Sequence, residues 1–313
     1  QQLEIIETSN KLLGHQCKPR PHFISYQRVL LAFFQQDKTH HGYGEWQKGF
    51  WQFLDSDNAV RRMLVQCLDV SINLLKSNTL FHSNVLTWRL DSPSFTFHSD
   101  NGLKILAEDL TLSCHSVGDS IQIQNTTGMV DPLTLQWYGS SGVVSWERVG
   151  MSREQIHATL GEFRINLKKA SYKADSVILR FPSLIGQALP GRLEDKVSML
   201  KDRSKVKYPR FSNYGTSNEI QGYYPGINYM GGLSIEGAGK MGFGTKEAPA
   251  LVEVFSHDTL RVRATSSDFA IKGRQIRSLQ SAVIIYFGRD SIFHPDLTFT
   301  YDADIEQLRL NKS

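Results

Sequence analysis

Leu103-Lys104-Ile105-Leu106-Ala107-Glu108-Asp109-Leu110-Thr111-Leu112-Ser113-Cys114-His115-Ser116-Val117-Gly118-Asp119-Ser120-Ile121-Gln122-Ile123 is the stretch whose reading decides the fold. Leu103 and Ile105, then Leu110 and Leu112, and after Val117-Gly118-Asp119 Ile121 and Ile123, recur two residues apart. A period of two sends alternate side chains to opposite faces of a pleated strand, and a Gly-Asp step between two such runs is turn chemistry. Working outward, Thr96 before it and Leu133, Leu135 and Trp137 after it keep the same period, punctuated by Ser-Asp-Asn-Gly, Thr-Thr-Gly and Gly-Ser-Ser-Gly turns.

The turn phrase recurs as Asp119-Ser120-Ile121, Asp175-Ser176-Val177, Asp258-Thr259-Leu260 and Asp290-Ser291-Ile292. Each pairs an Asp able to cap its own turn with a hydroxyl residue and a strand-opening apolar residue. Two copies share a further Pro-Leu element, Pro132-Leu133-Thr134-Leu135 and Pro295-Asp296-Leu297-Thr298-Phe299, which predicts one structural module used more than once.

Upstream the period changes. Phe23, Tyr26, Val29, Leu30, Phe33 and Phe34 follow helical spacing, as do Val60, Met63, Leu64, Cys67, Leu68 and Leu75 after the capping-type pair Asp57-Asn58. Trp46, Phe50, Trp51, Phe53 and Leu54 lie between the two sets, so three or four helices are expected. Downstream, Ser152 to Gln155 fits a capping box, but the alternation of Phe163, Ile165 and Leu167 favours strand.

These patterns predict an α+β chain that is predominantly β, with an N-terminal helical region capping a layered antiparallel β solenoid or jelly-roll-like sheet. Four regions are expected: helices over 1–83, a first β block over 84–190, a basic Pro- and Gly-rich connector over 191–226 and a second β block over 227–313. The last block reads as cut short, because Leu308 to Ser313 still looks like strand.

The chain has 313 residues, 40% of them hydrophobic and 11% aromatic, enough for a sizeable core, which excludes wholesale disorder. The apolar run Val283-Ile284-Ile285-Tyr286-Phe287 is far short of the roughly 18 residues of a membrane span. Three cysteines, Cys17, Cys67 and Cys114, give no disulfide framework. The net charge is +4, and the segment Arg192 to Arg210 carries an equal excess: Arg192, Lys196, Lys201, Arg203, Lys205, Lys207 and Arg210 against Glu194, Asp195 and Asp202. A nucleic-acid binder more often spreads Lys and Arg over a face with aromatics between them, so this segment reads as one basic loop; a solvated loop and a contact for an acidic partner are its two readings.

Catalytic signatures are lacking. Gly237-Ala238-Gly239-Lys240-Met241-Gly242-Phe243-Gly244 has the spacing of a phosphate loop, but Pro249 follows too soon for a helix, and tight-turn or close-packed strand glycines are expected. His15, Cys17 and His22, and the pair His40-His41, match no tetrahedral metal site, so neither metal nor cofactor is expected. Cys114-His115 and Glu108-Asp109 would point to opposite faces of a strand. Trp137, Tyr138 and Trp146, with Tyr223, Tyr224 and Tyr229, form the candidate recognition surface, the other reading being a core hairpin. Asn125-Thr126-Thr127 and Asn311-Lys312-Ser313 match the glycosylation pattern.

The run Ser141-Gly142-Val143-Val144-Ser145-Trp146-Glu147-Arg148-Val149-Gly150, with Tyr172 to Val177 and Pro190-Gly191-Arg192-Leu193, resembles large uncharacterised bacterial cell-envelope proteins built from β repeats. It is distantly similar to the β-layered envelope families that include the lipopolysaccharide-transport jelly rolls and AsmA-like proteins. The helical N-terminus departs from those layered families. The resemblance implies a non-catalytic scaffold or binding region of a larger extracytoplasmic protein, in the periplasm or at the cell surface, with a protein partner. A carbohydrate-active module stacking glycans on Trp137, Tyr138 and Trp146, and a lipid-guiding β groove, are the alternatives.

Overall fold

A computed structural model describes residues 2–35, 42–56, 63–213, 215, 218–272 and 274–312. Among them are four helices, α1 (Gln2–Gly14), α2 (Ile24–Gln35), α3 (Tyr43–Leu54) and α4 (Leu64–Ser77). The strands follow, beginning with β1 (Thr79–His82), β2 (Thr87–Leu90), β3 (Phe95–His98), β4 (Lys104–Ser116), β5 (Asp119–Asp131), β6 (Gln136–Ser145), β7 (His157–Leu160), β8 (Phe163–Asn166), β9 (Ser171–Phe181) and β10 (Ile185–Lys196). The remainder are β11 (Arg210–Asn213), β12 (Asn218–Tyr224), β13 (Ile227–Glu236), β14 (Gly239–Phe243), β15 (Ala250–Ser256), β16 (Thr259–Ser266), β17 (Asp268–Lys272), β18 (Gln275–Phe287), β19 (Asp290–Asp302) and β20 (Gln307–Lys312). The chain is mostly β, and its sheet is antiparallel. Asp57-Asn58, Val60, His40 and His41 lie outside the described residues.

The chain divides into two compact units, one made of Gln1–Val144 and Leu160–Ala174, the other of Ser145–Thr159 and Asp175–Ser313. In the first, the helices bury most of the residues their spacing selects, among them Trp46, Phe50, Phe53 and Leu54 of α3 and Leu64, Cys67, Leu68 and Leu75 of α4, whereas Phe34 and Met63 are exposed. Trp46 stacks on Phe50 with ring centroids 4.9 Å apart, and Phe33 of α2 meets Phe97 of β3 at 5.6 Å. Gly49 lets α3 close on the strand side, since a Cβ there would come 2.9 Å from the Leu103 backbone. Gln66 donates to the carbonyls of Pro132 and Leu133, which ties α4 to the β5–β6 turn. Helix α4 ends at Asn78, whose left-handed φ of 54° frees the chain to enter β1 at Thr79, a few residues before the expected onset of strand.

The opening stretch forms the β4–β5 hairpin, Ser116 opposite Asp119, with Val117 and Gly118 both at positive φ as a tight hairpin turn requires. Asp258 and Asp290 likewise stand at the hairpin turns β15–β16 and β18–β19. Asp175, by contrast, lies inside β9, and the longer Pro-Leu match breaks down as well. Pro132 to Leu135 is a turn because the Asp131 carboxylate accepts from the Leu133 and Thr134 N–H groups, whereas Pro295 to Phe299 lies within strand β19. The phrase marks turn chemistry rather than a repeated module.

Two further corrections follow. The capping box at Ser152 and Gln155 forms, with Ser152 N–H donating to the Gln155 side chain at 2.9 Å, but it closes only a turn before β7. The expected connector 191–226 is in part strand, at 191–196, 210–213 and 218–224. Leu189, Gly191, Leu193, Asp195 and Val197 face inward in strict alternation, a pattern hidden in the sequence by a glycine and an aspartate at core positions.

Candidate interaction surfaces

Most of the expected aromatic surface is core. Trp137 and Trp146 are fully buried and Tyr223 nearly so, and only Tyr138 and Tyr224 are partly accessible. Trp137 lies across Gly128, where a Cβ would fall 2.5 Å from the indole, so this glycine serves to seat an aromatic ring. Tyr138 stacks under Arg164 and Tyr224 under Arg274, with guanidinium-to-centroid distances of 5.2 and 5.4 Å. Tyr138 and Tyr224 belong to different units. Of the three residues on which the glycan reading rested, the two tryptophans are buried and Tyr138 alone is partly accessible.

The glycine run is the β13–β14 hairpin. It turns at Gly237-Ala238, and Gly237 is pressed so close to Val206 that no Cβ fits. Gly242 lies under the Tyr229 ring. Lys240 lies 5.3 Å from the Phe181 ring centroid, and burial lowers its pKa. Cys114 is buried and His115 exposed, as alternation requires, but Glu108 and Asp109 are both exposed. Asp109, at φ 47°, forms a bulge whose N–H donates to the Thr127 hydroxyl, and this resets the alternation. The His22 ring accepts from Lys18 N–H, and among the described residues no three His, Cys, Asp or Glu side chains converge on a point.

The seven basic residues of the 192–210 segment are all exposed. Arg192 and Lys196 lie on β10, Lys201, Arg203, Lys205 and Lys207 on the following loop, and Arg210 at the start of β11, where it pairs with Glu236 at 2.9 Å. The segment's acids are placed differently. Asp195 is buried and held by Arg148 at 2.5 Å, and Asp202 caps a short 3-10 turn through Ser204. With Asp195 turned inward, the outer face is more basic than the composition suggests.

A second surface escaped the sequence reading. In the outer part of the β18–β19 hairpin Ile284 opposes Phe293, Ile285 opposes Ile292 and Phe287 opposes Asp290, which places apolar side chains on both faces. Phe287, Ile292 and Phe293 are 54%, 60% and 62% exposed. Strand β20 pairs with β19 only over Leu297 to Asp302, so among the described residues Asp290 to Asp296 has a neighbour on one side alone. The sequence signal was the run Val283 to Phe287, but apolar residues on both faces ordinarily mean a strand buried on both sides. Nearby in sequence, a half-open cleft of about 470 Å3 is lined by His257, Asp258, Arg261, Tyr301 and Glu306. In comparisons with known proteins, no family, no curated sequence and no solved structure matches this chain.

Proposed function

We propose that this chain is a non-catalytic structural or binding region of a larger extracytoplasmic, envelope-associated protein that presents β edges and loops to a protein partner. The observation that carries this reading is the outer β18–β19 hairpin, apolar on both faces and open along one edge. An exposed apolar edge strand is an aggregation hazard unless a partner completes it, and strand addition is the mode that fits: main-chain hydrogen bonds along the edge, side-chain contacts on either face. Pro295 and the flanking Arg289 and Asp290 are the kind of residues that limit unspecific pairing there. The reading keeps a layered solenoid or jelly-roll-like arrangement as its architecture, which long antiparallel hairpins suit.

The test is site-specific photocrosslinking in the source cell, with the probe at positions 287, 292 and 293 and a control probe at exposed Thr134. The expected result is a discrete adduct from the hairpin positions only, abolished by Ile292→Asp/Phe293→Asp with the melting temperature unchanged. Equal labelling at the control site, or a large loss of stability in the double variant, overturns it.

A further inference from the structure

Between β10 and β11 the chain is pinned at two buried valines, Val197 and Val206, and the Gly237 turn is packed against the second. The stretch between the pins projects Met199, 79% exposed, and Leu200, 51% exposed, in a setting of Lys196, Lys201, Arg203, Lys205 and Lys207. Lys205 has Asp202 at 3.4 Å, whereas the amines of Lys196, Lys201 and Lys207 have no carboxylate within 4 Å among the described residues. A loop adapted only to water has no reason to expose two large adjacent apolar side chains when its flanking valines are buried.

We propose that Lys196 to Lys207 is a peripheral docking loop for an anionic bilayer surface. Met199 and Leu200 enter the boundary between headgroups and acyl chains, and the lysines lie on the lipid phosphates. The charge complementarity is specific to such a surface. Lysine attracts an extended anionic plane as a point charge, each one raising partitioning about fivefold, while the apolar pair adds an attraction that a soluble polyanion cannot offer. The described cleft lies elsewhere in the sequence, lined by residues 225–308. This inference goes beyond the hairpin reading and does not depend on it.

The experiment is co-sedimentation of the full chain with phosphatidylcholine vesicles with and without phosphatidylglycerol, alongside binding to soluble dextran sulfate. The expected result is retention on the phosphatidylglycerol vesicles only. Met199→Ser/Leu200→Ser should weaken that retention at least about fivefold and leave dextran sulfate binding unchanged. Lys201→Glu/Lys205→Glu/Lys207→Glu should abolish both, with the melting temperature unchanged. Met199→Trp should shift its emission to the blue on anionic vesicles. Absence of vesicle binding, retention unaffected by the Met199/Leu200 variant, or no emission shift overturns the proposal. Ile292→Asp/Phe293→Asp should sediment like the parent chain, which separates failure here from failure of the hairpin reading.

Discussion

Asp195 and Arg148 hold each other at 2.5 Å out of solvent, and breaking a buried pair from one side leaves a desolvated charge behind. Asp195→Ala should therefore cost about 3–5 kcal/mol in urea unfolding, and Arg148→Met/Asp195→Leu much less. Asp131 makes a pH-dependent contribution. Burial pushes its carboxyl up, but the Lys104 hydrogen bond and charge, with the Leu133 and Thr134 N–H groups, outweigh this and leave the pKa below the ordinary carboxylate value. The folded pKa is thus the lower one, so the stabilisation is complete above about pH 4 and is lost as pH falls through the folded value. Asp131→Asn should flatten the acid limb of the stability–pH curve. Burial also raises the Cys67 thiol to about 12, and Cys114 is equally inaccessible. In a thiol-reagent titration under native conditions these two should stay silent until the chain unfolds. At this scale the sequence was a partial guide: Cys114 and His115 separate as alternation predicts, whereas the inward turn of Asp195 becomes intelligible only with Arg148 in place.

At the scale of strands, glycines and aromatic rings form matched couples: Gly139 under Phe163, Gly191 under Phe211, Gly232 under Phe243 and Gly242 under Tyr229. Gly139 stands directly opposite Phe163 in the β6–β8 register, and a Cβ added to it would meet the ring at 2.3 Å. Gly139→Ala should cost about 1–3 kcal/mol through overpacking, and Gly139→Ala/Phe163→Leu should recover part of that loss in chemical denaturation. Such couples agree with the reading of the Gly237 to Gly244 run as tight-turn or close-packed strand and with the core-hairpin reading of Trp137 and Trp146. Gly128 and Gly242 each admit a ring, while Gly237 and Gly244 admit a close backbone. Bulges set a limit on the reading. At Asp109 one residue in the left-handed region puts two consecutive carboxylates outside, and periodicity carries no mark of that event.

Across the whole chain, the change of period near residue 80 located the helix-to-strand boundary, because helix and strand bury apolar residues at different spacings. The division into units was not legible, since it depends on which strands pair at long range. Strand β6 pairs with β8 across the intervening 145–159 segment, and that segment belongs to the other unit. A fragment ending at residue 144 lacks the β8 partner and should show no cooperative thermal transition, whereas one ending at residue 174 should unfold cooperatively by circular dichroism. The same interleaving has a consequence for synthesis, which runs from the N-terminus. Residues 145–159 leave the ribosome before the strand that completes the first unit and before nearly all of the second. For this stretch the order of translation and the order of completion differ, since its own unit cannot be completed until the chain beyond Ala174 has emerged.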